Sequence, residues 1–148
     1  MTVVTFESVR FGTIEVDEQA VIEFPLGLIG LGGTRYTLLD RNPGSGFQWL
    51  HCIEDPALAL PVVSPTLFFS SFALQLSEED RERTGIEDVT EADVYVTVRA
   101  APDPHEITAN LRAPLLVRDG RGHQVLNFAP GAELRAALFE PDPLRIAS

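Results

Sequence analysis

Apolar residues return at every second position through most of this chain, which is the period of strands that bury one face. The run "ADVYVTVRA" (92–100) is the clearest case: Val94, Val96 and Val98 fall on one side, and Asp93, Tyr95, Thr97 and Arg99 on the other. The runs "GTIEV" (12–16) and "AVIEF" (20–24) flank a turn-like Asp17-Glu18-Gln19 and predict a hairpin, with Ile14, Val16, Ala20, Ile22 and Phe24 inside. Further strands are predicted at 34–40, 46–54, 58–64, 72–77, 107–119 and 123–128. They are separated by Asn-Pro-Gly, Asp-Pro, Ser-Pro and Asp-Gly-Arg-Gly turn signals. Too few long helical patterns separate these strands for parallel crossovers. The expected fold is therefore all-β: a small antiparallel β-barrel, or two packed sheets, with short helical segments.

Two segments read as helical. Ser77 precedes Glu78, Glu79 and Asp80, a capping side chain followed by acids in the positive first turn, and Gly85 supplies a stop. The stretch "GAELRAALFE" (131–140) places Leu134, Ala137 and Leu138 at helical spacing. At 148 residues the chain is long enough for a full core. The expected organisation is a barrel-like domain over 1–128, followed at 129–148 by a helical segment, packed on that domain or on a partner, and a loose tail.

Charge excludes several functions. Eleven arginines, no lysine and twenty-two carboxylates give a formal net charge of -11, so nucleic acid is repelled and a basic protein is the better partner. The lack of lysine removes Schiff-base catalysis and the lysine of a Walker-type phosphate loop. Between positions 78 and 93, eight acids face only Arg81 and Arg83, which makes a candidate electrostatic docking patch. No apolar run approaches the roughly 18 residues of a membrane helix. The first residues lack a basic segment followed by an apolar one, and Cys52 is the single cysteine, so the expected home is the cytoplasm.

The run "FPLGLIGLGG" (24–33) holds four glycines among apolar residues. A dinucleotide loop starting at Gly30 needs glycine at the sixth position, where Arg35 stands, and a β-favouring run follows instead of a helix. The segment reads as a tight apolar turn. Catalytic signals are equally thin. His51 and Cys52 are adjacent on a strand and so point to opposite faces. His105 and His123, near Asp103, Glu106 and Asp119, lack the ligand spacing of a zinc motif. Glu54 and Asp55 precede Pro56 and read first as a turn. No catalytic residue, metal or cofactor is expected.

Three stretches taken together, "FPLGLIGL", "FQWL" followed by "EDPALAL", and "TANLRAPLLV", occur in the order and spacing of the flagellar assembly factor FliW family. The chain resembles that family from about Phe6 to Val117. The resemblance implies a small β-barrel and a non-enzymatic protein of the bacterial cytoplasm, monomeric when free, that binds two alternative partners. One is flagellin; the other is CsrA, an RNA-binding repressor of flagellin translation, which the factor antagonises once flagellin is exported. Glu54, Asp55, Phe68, Phe69, Asn110 and Arg112 are the candidate contact residues, with Glu78, Glu79 and Glu82 as an electrostatic aid. Two other readings remain: a small-molecule-binding barrel with the glycine turn and Phe68-Phe69 at its mouth, and a metal-dependent hydrolase using His105 and His123.

Overall fold

The computed structural model describes residues 2–139. Its first feature is a hairpin of β1 (Val3–Ser8) and β2 (Gly12–Asp17), in register from Val3 opposite Asp17 to Ser8 opposite Gly12. This corrects the expected pairing of 12–16 with 20–24. The second of those runs becomes β3 (Val21–Glu23), whose antiparallel neighbour is β4 (Arg35–Leu39). A short 3-10 turn over Glu18–Ala20, capped by Asp17, redirects the chain between them.

From β4 the strands follow as antiparallel neighbours through β5 (Phe47–Cys52), β6 (Ala59–Val63) and β7 (Asp93–Arg99). β8 (Thr108–Ala109) pairs with the far end of β7, while β9 (Leu115–Arg118) pairs with its near end. β10 (Arg121–Gln124) pairs with β9 and then meets β3 in parallel, through Arg121 opposite Glu23. That last contact closes a mixed barrel of seven strands, from β3 through β7 and back by β9 and β10. The Asp119-Gly120 link between β9 and β10 has φ of 52° and 77°, as a two-residue primed hairpin turn requires.

The segment at 107–119, expected as one strand, is thus split into β8 and β9. Its bend is held by Asn110, whose Oδ1 accepts from the backbone N–H groups of Arg112 (3.0 Å) and Ala113 (3.2 Å). Residues 131–139 also depart from expectation. They form no helix; β11 (Ala136–Ala137) instead pairs with β8. Ala136 and Leu138 are buried and Ala137 is exposed, a two-residue alternation that a short run cannot distinguish from helical spacing. The tail at 140–148 lies outside the described residues.

Ile22, Phe24, Tyr36, Leu50, Cys52, Val62 and Leu115 fill the barrel interior. The valine face of β7 is buried as predicted, yet it is the outer face of the barrel. Val96 and Val98 pack with Val63, Leu111 and Leu138 under Phe68, Phe69 and Phe72, while Tyr95 points inward. The run 72–77, expected as a strand, covers this face without joining a sheet. The buried Asn127 ties it down: Gln75 N–H donates to Asn127 Oδ1 (2.9 Å), Asn127 Nδ2 donates to the carbonyls of Ala73 (2.9 Å) and, outside the run, Leu111 (3.2 Å), and Phe128 N–H donates to the Gln75 carbonyl (2.9 Å). The predicted helix is present as α1 (Glu78–Thr84). Ser77 Oγ accepts from Asp80 N–H, and Gly85 ends it at φ 72°. The β1–β2 hairpin lies on the outside of β4 and β5, with Phe6 and Ile14 against Leu39 and Trp49.

Candidate partner-binding site

The glycine run is a folded loop at one end of the barrel. Phe24 N–H donates to the Thr34 carbonyl (2.7 Å) at its base, and Leu31 N–H to the Leu28 carbonyl (3.1 Å) at its tip, leaving Ile29 and Gly30 as the turn. Leu28 is buried against the interior core, whereas Leu26 and Ile29 are exposed. At Gly33, with φ of 82°, a Cβ would sit 2.6 Å from Cys52 Sγ, so the loop can fold against β5 only with glycine there. Tyr36, fully buried beneath, donates its hydroxyl to the Gly32 carbonyl (2.8 Å). Its pKa is pushed up to about 12, first by burial and then by neighbouring Cys52 and Glu54, so it remains a donor.

Glu54 fixes the other root of the loop. One carboxylate oxygen accepts from the N–H groups of Thr34 (2.7 Å) and Arg35 (3.0 Å). These two bonds, Thr34 first, hold its carboxyl below the usual 4.5. The charged form is therefore favoured in the folded state, and its stabilisation is present above 4.5 and lost as pH falls through the lower folded value. Glu54→Gln should lower the melting temperature near neutral pH. That difference should shrink steadily below pH of about 4.5; a difference independent of pH would show that charge is not what holds the loop.

Beside Glu54, Asp55 Oδ1 accepts from Ala57 N–H (3.0 Å) and the Pro56 carbonyl from Val9 N–H (2.9 Å), so the "EDPA" turn joins the glycine loop to the hairpin. Phe68 and Phe69 are half-buried. The ring of Phe68 lies 5.6 Å from that of Phe47 and 5.9 Å from that of Phe139, so both phenylalanines serve the packing over β7. Glu78, Glu79 and Glu82 are exposed on α1 and form no ion pair among the described residues; Asp80, by contrast, pairs with Arg83 at 2.8 Å.

Of these sequence-predicted residues, the fold brings Asn110 and Arg112 to the glycine loop. They share with it an open groove of about 670 Å³ that also takes in Leu28, Ile29, Leu126 and Leu134. Glu54 and Asp55 sit at the loop's other root, the two phenylalanines line a separate hollow, and the three glutamates stand on α1.

The residues that invited catalytic readings are structural. His51 is wholly buried under the hairpin: its Nδ1–H donates to the Cys52 carbonyl (2.7 Å), and Nε2 accepts from the Ser8 hydroxyl (2.7 Å). Ser8 in turn accepts from Arg10 and Phe11 N–H, and no carboxylate orients the pair, so it pins the hairpin to β5. Cys52 faces the barrel interior, opposite His51 as expected. Among the described residues no three His, Cys, Asp or Glu side chains are placed to hold a metal. Burial first, and then Arg83, Arg121 and Arg118, lowers the pKa of His123. The side chains of Ile22, Phe24, Tyr36, Leu50, Cys52 and Val62 pack the barrel interior, while Leu28, Leu60 and Leu115 of the same cluster reach the open groove beside the glycine loop.

Residues 5–138 match the family model described as FliW protein. The chain belongs to the FliW family. It is 35% identical over 121 residues to the flagellar assembly factor FliW of Alkaliphilus metalliredigens, covering 79% of this chain and 75% of that one. The FliW of Leptospira biflexa is 29% identical over 141 residues, 93% of this chain and 92% of its own. A crystal structure of the flagellar assembly factor FliW has the same fold, with a TM-score of 0.82 at 24% identity, over 95% of this chain and 99% of that one. FliW is a family of flagellar assembly factors and not of enzymes. No helix among the described residues is long and apolar enough to cross a membrane.

Within this FliW fold, the residue that sequence reasoning missed is Gln124. Its Oε1 accepts from Ile29 N–H (2.7 Å) and its Nε2 donates to the Ala113 carbonyl (3.2 Å), so one side chain ties the loop tip to the bend held by Asn110. Nothing local in "GHQVL" signals this, because the partners lie 95 and 11 positions away.

Proposed function

We propose that this FliW-family chain binds flagellin in the cytoplasm and, when free of flagellin, binds and antagonises CsrA, coupling flagellin synthesis to export. The observation that carries this reading is the family match across residues 5–138. Charge supports it: a surface of net charge -11 attracts an RNA-binding protein and disfavours RNA beside the complex. Glu78, Glu79 and Glu82, exposed on α1 without ion-pair partners among the described residues, steer the basic partner. Asp55, Phe68, Phe69, Asn110 and Arg112 serve as contacts, and Glu54 serves by holding the glycine loop in shape. The free factor is a monomer.

Titration calorimetry of the purified chain against CsrA and, separately, flagellin of the same bacterium tests this. Saturable binding to CsrA that added flagellin relieves is the expected result; no binding to either overturns the partner switch. Reversing Glu78, Glu79 and Glu82 to arginine should slow association with CsrA about tenfold at low salt and flatten its salt dependence. An unchanged rate would remove α1 from the docking surface.

A further inference from the structure

We infer that the groove beside the glycine loop is a docking site for an acidic amphipathic segment of another protein, chemically opposite to the partner that α1 attracts. The groove exists because the barrel seam is incomplete. β6 and β7 pair only through Val62 with Thr97 and Val63 with Val96. The next residue of β6 is Pro61, which has no N–H to continue the ladder, so the two strands part beyond it. Leu60 of β6 and Val98 and Arg99 of β7 then line the opening.

Its walls are apolar and uncovered. Ile29 is 69% exposed, Leu126 45% and Leu134 53%, three large side chains around one concavity. Its charge runs against the rest of the chain. Arg99, Arg112 and Arg135 line the groove, all exposed and none in an ion pair among the described residues. No carboxylate lines it among the described residues, although the chain has twice as many carboxylates as arginines. Among the neutral polar groups there, Asn110 Oδ1 and both ends of Gln124 are bonded to backbone, and the Thr97 and Thr108 side chains add two hydroxyls.

The charged groups available to a ligand are therefore all cationic: leucine and isoleucine surface is bordered by three guanidinium forks, whose geometry suits carboxylates, and the threonine hydroxyls carry no charge to oppose them. A basic segment would meet repulsion there, and a purely apolar one would leave the arginines unused. An apolar face edged with Asp or Glu fits both. This assignment does not depend on which proteins the factor serves.

The probes are two synthetic amphipathic peptides with the same leucine face, one edged with glutamate and the other with lysine. Fluorescence anisotropy would follow their binding to the full chain at low and high salt. The glutamate peptide should bind saturably and at least about tenfold more tightly than the lysine peptide, with the margin shrinking as salt rises. The triple variant Arg99→Ser, Arg112→Ser, Arg135→Ser should lose that preference, while reversal of Glu78, Glu79 and Glu82 should leave it intact. Equal binding of the two peptides, or binding of neither, overturns the proposal, and both readings need only the unmodified protein. Concentration-dependent dimerisation in sedimentation, abolished by the triple variant, would also overturn it by assigning the groove to a second copy of the chain.

Discussion

Replacing Val96 with aspartate should abolish cooperative unfolding. Val96 has no solvent exposure and packs in the cluster of Val63, Val98, Leu111 and Leu138 over the outer face of β7. The nearest ladder partner is Val63, and no cation belongs to the cluster. An ionised carboxylate there would be unpaired, and a neutral one would still leave a carbonyl oxygen without a donor and a hydroxyl without an acceptor. Either cost, on the order of several kcal/mol, is comparable to the whole stability of a domain this size. Val96→Ala removes the same methyl groups without the charge and should cost only about 2 kcal/mol, leaving a sharp transition at lower temperature. Circular dichroism melts of the pair separate burial of charge from loss of packing. An aspartate variant that melts like its parent would place Val96 at the surface.

A second large effect is expected at Gly122, at the other side of the closed barrel. This glycine of β10 sits opposite Val117, and a Cβ built on it overlaps the ring of Phe24. Phe24 cannot withdraw, since it is fully buried and its ring lies edge-on to Tyr36 at 5.4 Å. Gly122→Ala should therefore destabilise by about 1–3 kcal/mol through overpacking, although alanine is normally the milder residue in a strand. Phe24→Leu alone leaves a hole and also destabilises. Together the two should cost less than the sum of the single changes, because the smaller side chain vacates the space that the new methyl needs. Chemical denaturation of all four proteins yields the coupling; strict additivity would mean that the ring and the glycine do not meet.

Periodicity located most of the barrel, because a strand with one buried face writes its pattern locally. It could not choose partners. β2 pairs backward with β1, as β1 carries Phe6 in register with Ile14, yet "VVTFES" and "AVIEF" are equally good strands by pattern. Nor could it tell which side of a strand is inside. The valines of β7 are buried by the aromatic segment wrapped over them, not by the barrel. The run 72–77 alternates like a strand for the same covering role, but the Asn127 side chain and one backbone bond from Phe128 N–H to the Gln75 carbonyl take the place of a neighbouring ladder.

The candidate surface was legible as individual polar residues, not as an arrangement. Asn110 and Arg112 are polar positions in a stretch that reads as one strand, and the bend that brings them beside the glycine loop has no counterpart in that pattern. Glu54 was chosen as an exposed acid, and its carboxylate proves to be engaged with the loop backbone. Leu134 was placed on a helix that does not form, and Arg99 and Arg135 had no local signal, so the groove's charge pattern emerged only when distant segments came together.

The seam between β3 and β10 carries one more implication, for the timing of synthesis. Glu23 must wait for Arg121 before the barrel can close, and the groove draws on residues from Leu28 to Arg135. Such distant pairings form late and slowly, after the intervening chain is available. A ribosome-bound fragment ending before β10 has neither the closed barrel nor the groove. Interrupted translation products of this chain are therefore inert toward any partner that reads the groove, and recognition begins only once the segment through Arg135 has emerged.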